Sequence, residues 1–383
     1  MKKTLLSVVI SSLALGSIGA QAEGFDSLVK DGSVNANFRL RSESVDQVEA
    51  KDGALALTLK SRITVKTGAA YGLSALVEGD NVSHLNDEFN DDPALKGTAK
   101  NDFVLDQETT QLNQAYLQYA NESTTVKAGN QRINLDNQRH VGGVAFRQDE
   151  ATFDAVSVKN TDIANTTIFA AFANNLNSIT DDDVEADITL LNVKYQVNPD
   201  LAATGFYYDV EDSGSTIGVR VVGKASGIGY EAELATQEQD GVDASPLYYH
   251  LAANKKVADV KLTAGLEVLG SDGGDGAFST PLGTNHKFLG WSDTYLKGAG
   301  DNGIQDLYAT AVTKVAGVKL VGQLHKFDSN EGSTDLGTEI GFLAAKKIKN
   351  YGLSVKLAQF NAGDDSAGKV DATKVWLTGT AKF

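Results

Sequence analysis

The stretch 374-KVWLTGTAKF-383 decides the fold of this chain. Val375, Leu377, Gly379, Ala381 and Phe383 share one parity, and Lys374, Thr378, Thr380 and Lys382 share the other. Alternation with period two describes a strand with one face against apolar material and one against water. The sequence stops inside this strand, on an aromatic residue and without a polar tail. A sheet that lies in lipid cannot leave an edge open, because its backbone donors and acceptors would go unpaired. A last strand that returns to pair with the first resolves this, with Phe383 outward at the membrane boundary.

The same alternation runs back through the chain. Val34, Ala36, Phe38 and Leu40 alternate with Asn35, Asn37, Arg39 and Arg41. Leu57, Leu59, Ile63 and Val65 oppose Lys60, Arg62, Thr64 and Lys66, while Leu262, Ala264 and Leu266 oppose Lys261, Thr263 and Glu267. Helical periodicity of comparable length is absent. The pattern predicts an all-β chain of about eighteen strands: 33–43, 55–67, 72–81, 111–120, 124–133, 150–159, 165–174, 187–196, 201–210, 215–224, 228–238, 246–254, 259–269, 304–313, 317–327, 335–346, 351–361 and 372–383. Connections alternate long and short. GAAY, NES, NPD, SG and VAG are short, whereas 82–110, 134–149, 175–186 and 270–303 are long. One rim of turns and one of loops is the mark of an antiparallel transmembrane β-barrel in a bacterial outer membrane.

The other terminus agrees. Lys2 and Lys3, an apolar run from Leu5 to Leu15 and the AQA of residues 20–22 predict a signal peptide over 1–22, leaving 23–383 as the barrel. Its removal leaves 32 basic residues against 50 acidic ones, a balance that argues against nucleic acid as a partner. With no cysteine, an exported chain has no disulfide framework, and 38 glycines with only 4 prolines suit turns and unbroken strands. A solenoid would show a fixed internal repeat, and none is present. The partners implied are outer-membrane lipids, the barrel-assembly machinery through Phe383, and a small anionic solute or oligosaccharide.

On closure, strands seventeen, eighteen, one and two become neighbours. Their inward parity sets Lys356, Lys374, Arg39, Arg41, Lys60 and Arg62 side by side as a basic wall, with Glu78 and Asp80 next and Glu231, Glu233, Glu267 and Glu339 farther round. Such a lumen favours anionic or polar solutes. The third loop adds Arg132, Arg139 and Arg147 with Asp136, Asp149 and Asp154. If Val126 and Ala128 face lipid, Arg132 does too, unless the strand bulges near Gly129 or ends; we therefore expect this loop to fold inward. No metal or other cofactor is indicated: His84, His140, His250, His286 and His325 lack metal-ligand spacing. Calcium has only the acidic stretches 271–276 and 181–183 to recommend it. No nucleophile motif accompanies His250 or His325, so no enzyme is expected.

Two stretches, 129-GNQRINLDNQRHVGGVAFRQDEATFDAVSVKN-160 and 265-GLEVLGSDGGDGAFSTPLGTNHKFLGWSDTYL-296, together with 112-LNQAYLQY-119, resemble the alginate-export family of outer-membrane porins. That resemblance implies an eighteen-stranded barrel with an electropositive pore. By motif position it points to Arg132, Asp136, Arg139 and Asp154 as constriction residues. The function expected is a porin passing anionic or polar small solutes or oligosaccharides. The alternatives are export of an anionic polysaccharide such as alginate, and a plugged barrel acting as enzyme or adhesin.

Overall fold

The computed structural model describes residues 23–48, 52–95, 99–180, 183–366 and 368–383. The signal-peptide segment 1–22 lies outside them, as do Asp181 and Asp182. A short helix, α1 (Glu23–Lys30), which alternation did not reveal, leads into the sheet. Ser27 Oγ donates to the Ala69 carbonyl at 2.8 Å, and the Gly68 amide donates to Leu28 at 2.9 Å, so the helix sits against the first tight turn. A Cβ on Gly68 would lie 2.0 Å from the Ser27 carbonyl oxygen, which leaves room for glycine alone.

Eighteen strands follow: β1 (Ser33–Gln47), β2 (Ala54–Lys66), β3 (Leu73–His84), β4 (Thr109–Ala120), β5 (Thr124–Gln131), β6 (Thr152–Asn160), β7 (Thr166–Asn177), β8 (Asp183–Asn198) and β9 (Leu201–Val210) make the first half. The second half is β10 (Gly214–Ala225), β11 (Ile228–Gln239), β12 (Leu247–Val257), β13 (Val260–Leu269), β14 (Ile304–Val315), β15 (Val318–Asp328), β16 (Asp335–Ile348), β17 (Tyr351–Ala362) and β18 (Ala372–Lys382). Each pairs antiparallel with its sequence neighbours, and β18 pairs with β1 from Asn37↔Lys382 to Gln47↔Ala372, closing the barrel. Ala36 and Phe383 exchange both backbone hydrogen bonds at 2.9 Å, so the seam runs to the last residue. The Phe383 ring lies on the outside with Phe38 and Tyr351, centroids 6.5 and 6.2 Å away.

The eighteen expected strands are all present, and the differences lie at their ends. β7 and β8 pair past a bulge to Asn177↔Asp183, so the expected loop 175–186 shrinks to 178–182. The second loop spans 85–108, and the third widens to 132–151 because β5 stops at Gln131. The burial pattern is reversed from that of a soluble protein. Leu307, Leu324, Leu353 and Leu377 stand more than half exposed on the outside, while Glu43, Asp80, Glu267 and Asp306 are buried within. Part of the inside is apolar too. Ile133, Val141, Phe278, Leu282, Leu289 and Tyr295, from the third and seventh (270–303) loops, pack against Phe153, Leu190, Phe206, Tyr248, Phe327 and Phe360 of the wall. Both loops are therefore folded into the barrel.

Candidate functional site

The third loop leaves the wall at a glycine. Gly129 has φ +123°, and a Cβ there would meet the Ala115 carbonyl oxygen at 2.3 Å. Two residues later β5 ends, so Arg132 escapes the outward parity of Val126 and Ala128. Its backbone N–H donates to Gln114 Oε1 at 3.1 Å. Its guanidinium donates to Glu150 Oε2 at 2.6 Å and lies 3.2 Å from Glu78. Arg62 grips Asp80 with two bonds of 2.7 and 2.5 Å and also reaches Glu150. Burial alone would raise the Glu150 carboxyl, but the Arg132 hydrogen bond and the Arg62 charge hold it at about 2. The Arg132 guanidinium is raised in turn: its bond to Glu150 outweighs burial.

The loop then crosses to the basic wall and is fastened there. Arg39 donates to Gln148 Oε1 at 2.7 Å, to the Ala145 carbonyl at 3.0 Å and to the Arg147 carbonyl. Lys60 donates to the Gln148 carbonyl at 2.5 Å and pairs with Asp80 at 2.8 Å. Arg147, almost fully buried, holds Glu43 at 3.0 Å and Asp293 of the seventh loop at 2.8 Å. Phe146 lies flat on His286, with centroids 3.4 Å apart. The Arg41 guanidinium and the Lys356 ammonium sit over the Phe146 ring at 4.5 and 4.2 Å. His286 Nδ1 donates to Asp293 at 2.5 Å, and Nε2 accepts from Lys356 at 2.9 Å. Burial pushes the His286 imidazole down to about 4, so it is neutral at pH 7.

The seventh loop is anchored at three further points. Glu339 accepts the backbone N–H groups of Trp291 and Ser292 at 2.5 and 2.9 Å. Gly290 has φ +82°, and a Cβ there would sit 2.4 Å from Glu339 Oε2. Arg139 ties the two loops to β13: its Nε lies 2.7 Å from Glu267, and Nη1 donates to Asn285 at 2.9 Å.

The twelve residues expected at the pore thus divide. Arg39, Arg41, Lys60, Arg62, Glu78, Asp80, Lys356 and Lys374 come together with Arg132 around the inward loop. Asp136 lies apart, accepting from Asn192 at 2.7 Å beside a cavity of about 520 Å³ on the turn-rim side that Lys194 and Arg220 also border. Arg139 is completely buried, so it anchors the loops and meets no open lumen. Asp154 does not point inward. It shares the parity of the outward-facing Val156 and Val158, opposite to the inward Phe153 and Ala155, and accepts from Asn175 at 3.1 Å. Sequence reasoning missed Glu150, Gln148, His286, Trp291 and Trp376, whose roles depend on partners distant in the chain. His325 sits against Asp306 at 2.9 Å and His250 against Tyr308 at 2.7 Å. Among the described residues no group of three or more His, Cys, Asp or Glu is placed to hold a metal ion. Above the two loops lies a cavity of about 780 Å³, bordered by Arg147, His286, Asp293, Lys297, Lys369 and Lys374.

Neither a family model nor a curated protein matches this sequence. The likeness of 129–160 and 265–296 to the alginate-export family therefore stands on those stretches alone. Solved structures do match in fold. Pseudomonas aeruginosa OccK3 (OpdO) superposes with a TM-score of 0.74 at 12% identity, over 94% of this chain and 98% of that one. Pseudomonas aeruginosa OccK9 (OpdG) gives 0.73 at 15%, over 93% and 100%. Acinetobacter baumannii OccAB1 gives 0.72 at 13%, over 96% and 100%. At such identities the likeness concerns the fold: a closed eighteen-stranded barrel.

Proposed function

We propose that this chain is an outer-membrane channel for passive diffusion of small anionic or polar solutes through a charged lumen narrowed by its third and seventh loops. The observation that carries the reading is the basic wall of β17, β18, β1 and β2, onto which an inward loop is fastened by Arg39, Lys60 and Arg62. A rigid constriction beside a charged wall presents several weak contacts in series, so a solute enters and also leaves. The fold shared with OccK3 and OccAB1 supports this reading. Export of an anionic polysaccharide has the sequence resemblance alone behind it.

The test is conductance of the purified mature protein in a planar bilayer, with the reversal potential under a salt gradient. Ohmic steps with anion preference are expected. Steps with cation preference would retain the channel and discard the basic wall as its filter. A folded barrel that passes no current would overturn the reading.

A further inference from the structure

We infer that Lys374 is the residue at which this channel reads the negative charge of a solute. The inference rests on the channel reading above and names one residue within it. The wall carries many cations, but the structure gives them very different freedom. Arg39 is committed to Gln148 and two loop carbonyls, and Lys60 to Asp80 and the Gln148 carbonyl. Arg62 is saturated by Asp80, Glu78 and Glu150. Arg41 faces Asp106 at 3.7 Å beneath Phe146, and its Nε and Nη1, though without hydrogen bonds, are shut off from solvent. Lys356 is capped by His286 and enclosed by the rings of Phe146 and Trp291.

Lys374 differs from all of these. It is 8% exposed, and its ammonium has no hydrogen bond or ion pair among the described residues. It borders the 780 Å³ cavity on the loop-rim side of the constriction, where a solute arrives first. The reason it is unpaired lies next to it. Glu43 and Asp293 are the carboxylates whose charge it feels, and Arg147 holds both. Arg147 therefore acts as a positioning residue that keeps those carboxylates off Lys374.

A cation whose donors are already used has little left for a passing anion. An ammonium with three unspent donors, drawn partly out of water, makes a strong charge-assisted hydrogen bond. Leaving such a group unmatched inside a barrel is costly unless water or an anion meets it. The cavity supplies that space, with the exposed Lys297 and Lys369 at its mouth and the apolar Phe103, Leu105 and Leu296 on its sides. A single contact of this kind holds a solute's anionic group briefly and releases it to the constriction below.

The experiment compares bilayer reversal potentials, under a potassium chloride gradient, for the mature wild-type barrel, K374Q, K374M, K374R and K194Q. Folding of each is checked by heat-modifiable gel mobility. K374Q and K374M are expected to lower the chloride-to-potassium permeability ratio about three- to tenfold, as loss of one desolvated charge-assisted contact predicts. K374R should retain the ratio, and K194Q, which removes the same charge beside the turn-rim cavity and outside the constriction, should leave it nearly unchanged. An unchanged ratio in folded K374Q or K374M, or an equal fall in K194Q, overturns the assignment in favour of a diffuse lumen field. A wild-type barrel without current overturns the channel reading and this inference with it.

Discussion

Arg139 and His286 show how a charged or polar side chain becomes architecture when buried. Arg139 is fully enclosed, and its guanidinium is matched by Glu267 and Asn285. Removing one member of a buried pair strands the other, so R139A should destabilise the barrel by about 3–5 kcal/mol. The midpoint of urea unfolding in detergent checks this. His286 has the opposite economy: it is buried neutral, held near 4 against an ordinary 6.5. Between those values the unfolded chain binds a proton that the folded one refuses, so this contribution is present at neutral pH and is lost as pH falls from 6.5 to 4. Urea midpoints measured across that window should decline, and the decline should be shallower in H286N. Of these residue roles, only Arg132 was legible in the sequence. Parity there conflicts with charge, and a strand end after Gly129 resolves the conflict. Arg139 and Asp154 were drawn from motif position, which carries no information on whether a side chain is enclosed or which face of its strand it takes.

At the scale of elements, the strands were readable because each records two solvents in alternation, whatever its partner. The bulge of β7 between Ala173 and Asn175 escaped notice, since it shifts parity by one residue inside an otherwise regular run. The loops left no period to read. Phe146 meets His286 across the barrel, and Glu339 caps a turn at Trp291 and Ser292. Such pairings depend on closure and have no local signature. Gly290 makes the cap testable: G290A introduces a Cβ both at positive φ and against Glu339, and should cost about 1–3 kcal/mol. The chain has two tryptophans, Trp291 and Trp376, both within 5.5 Å of the Lys356 ammonium by ring centroid. A changed tryptophan emission at constant strand content by circular dichroism would report displacement of the seventh loop. F383A belongs to this scale too. It removes two edge contacts worth about 0.5–1.5 kcal/mol each, and the proportion of heat-modifiable barrel recovered from membranes should fall.

For the whole molecule, net charge and the cations of one lumen wall point in opposite directions. The chain is acidic overall, yet Arg39, Arg41, Lys60, Arg62, Lys356 and Lys374 converge on one wall beside the constriction. The ion pairs that fasten the loops are buried and escape screening, whereas the attraction that draws an ion to the mouth crosses water. The Debye length shrinks from about 10 Å at 0.1 M salt to about 3 Å at 1 M. Anion preference should therefore weaken between those concentrations while the urea midpoint stays nearly constant; a parallel loss of both would tie selectivity to the stability of the loops.

The seam between β1 and β18 also sets a schedule. Asn37 pairs with Lys382, and Ala36 with Phe383, so β1 must wait for a partner more than 300 residues later in the chain. A ribosome delivers the chain from one end, and no early portion of it holds both partners of that seam. Contacts of such sequence separation make folding slow and leave the intermediate sticky at its edges. This barrel can therefore close only once β18 has been made, long after β1.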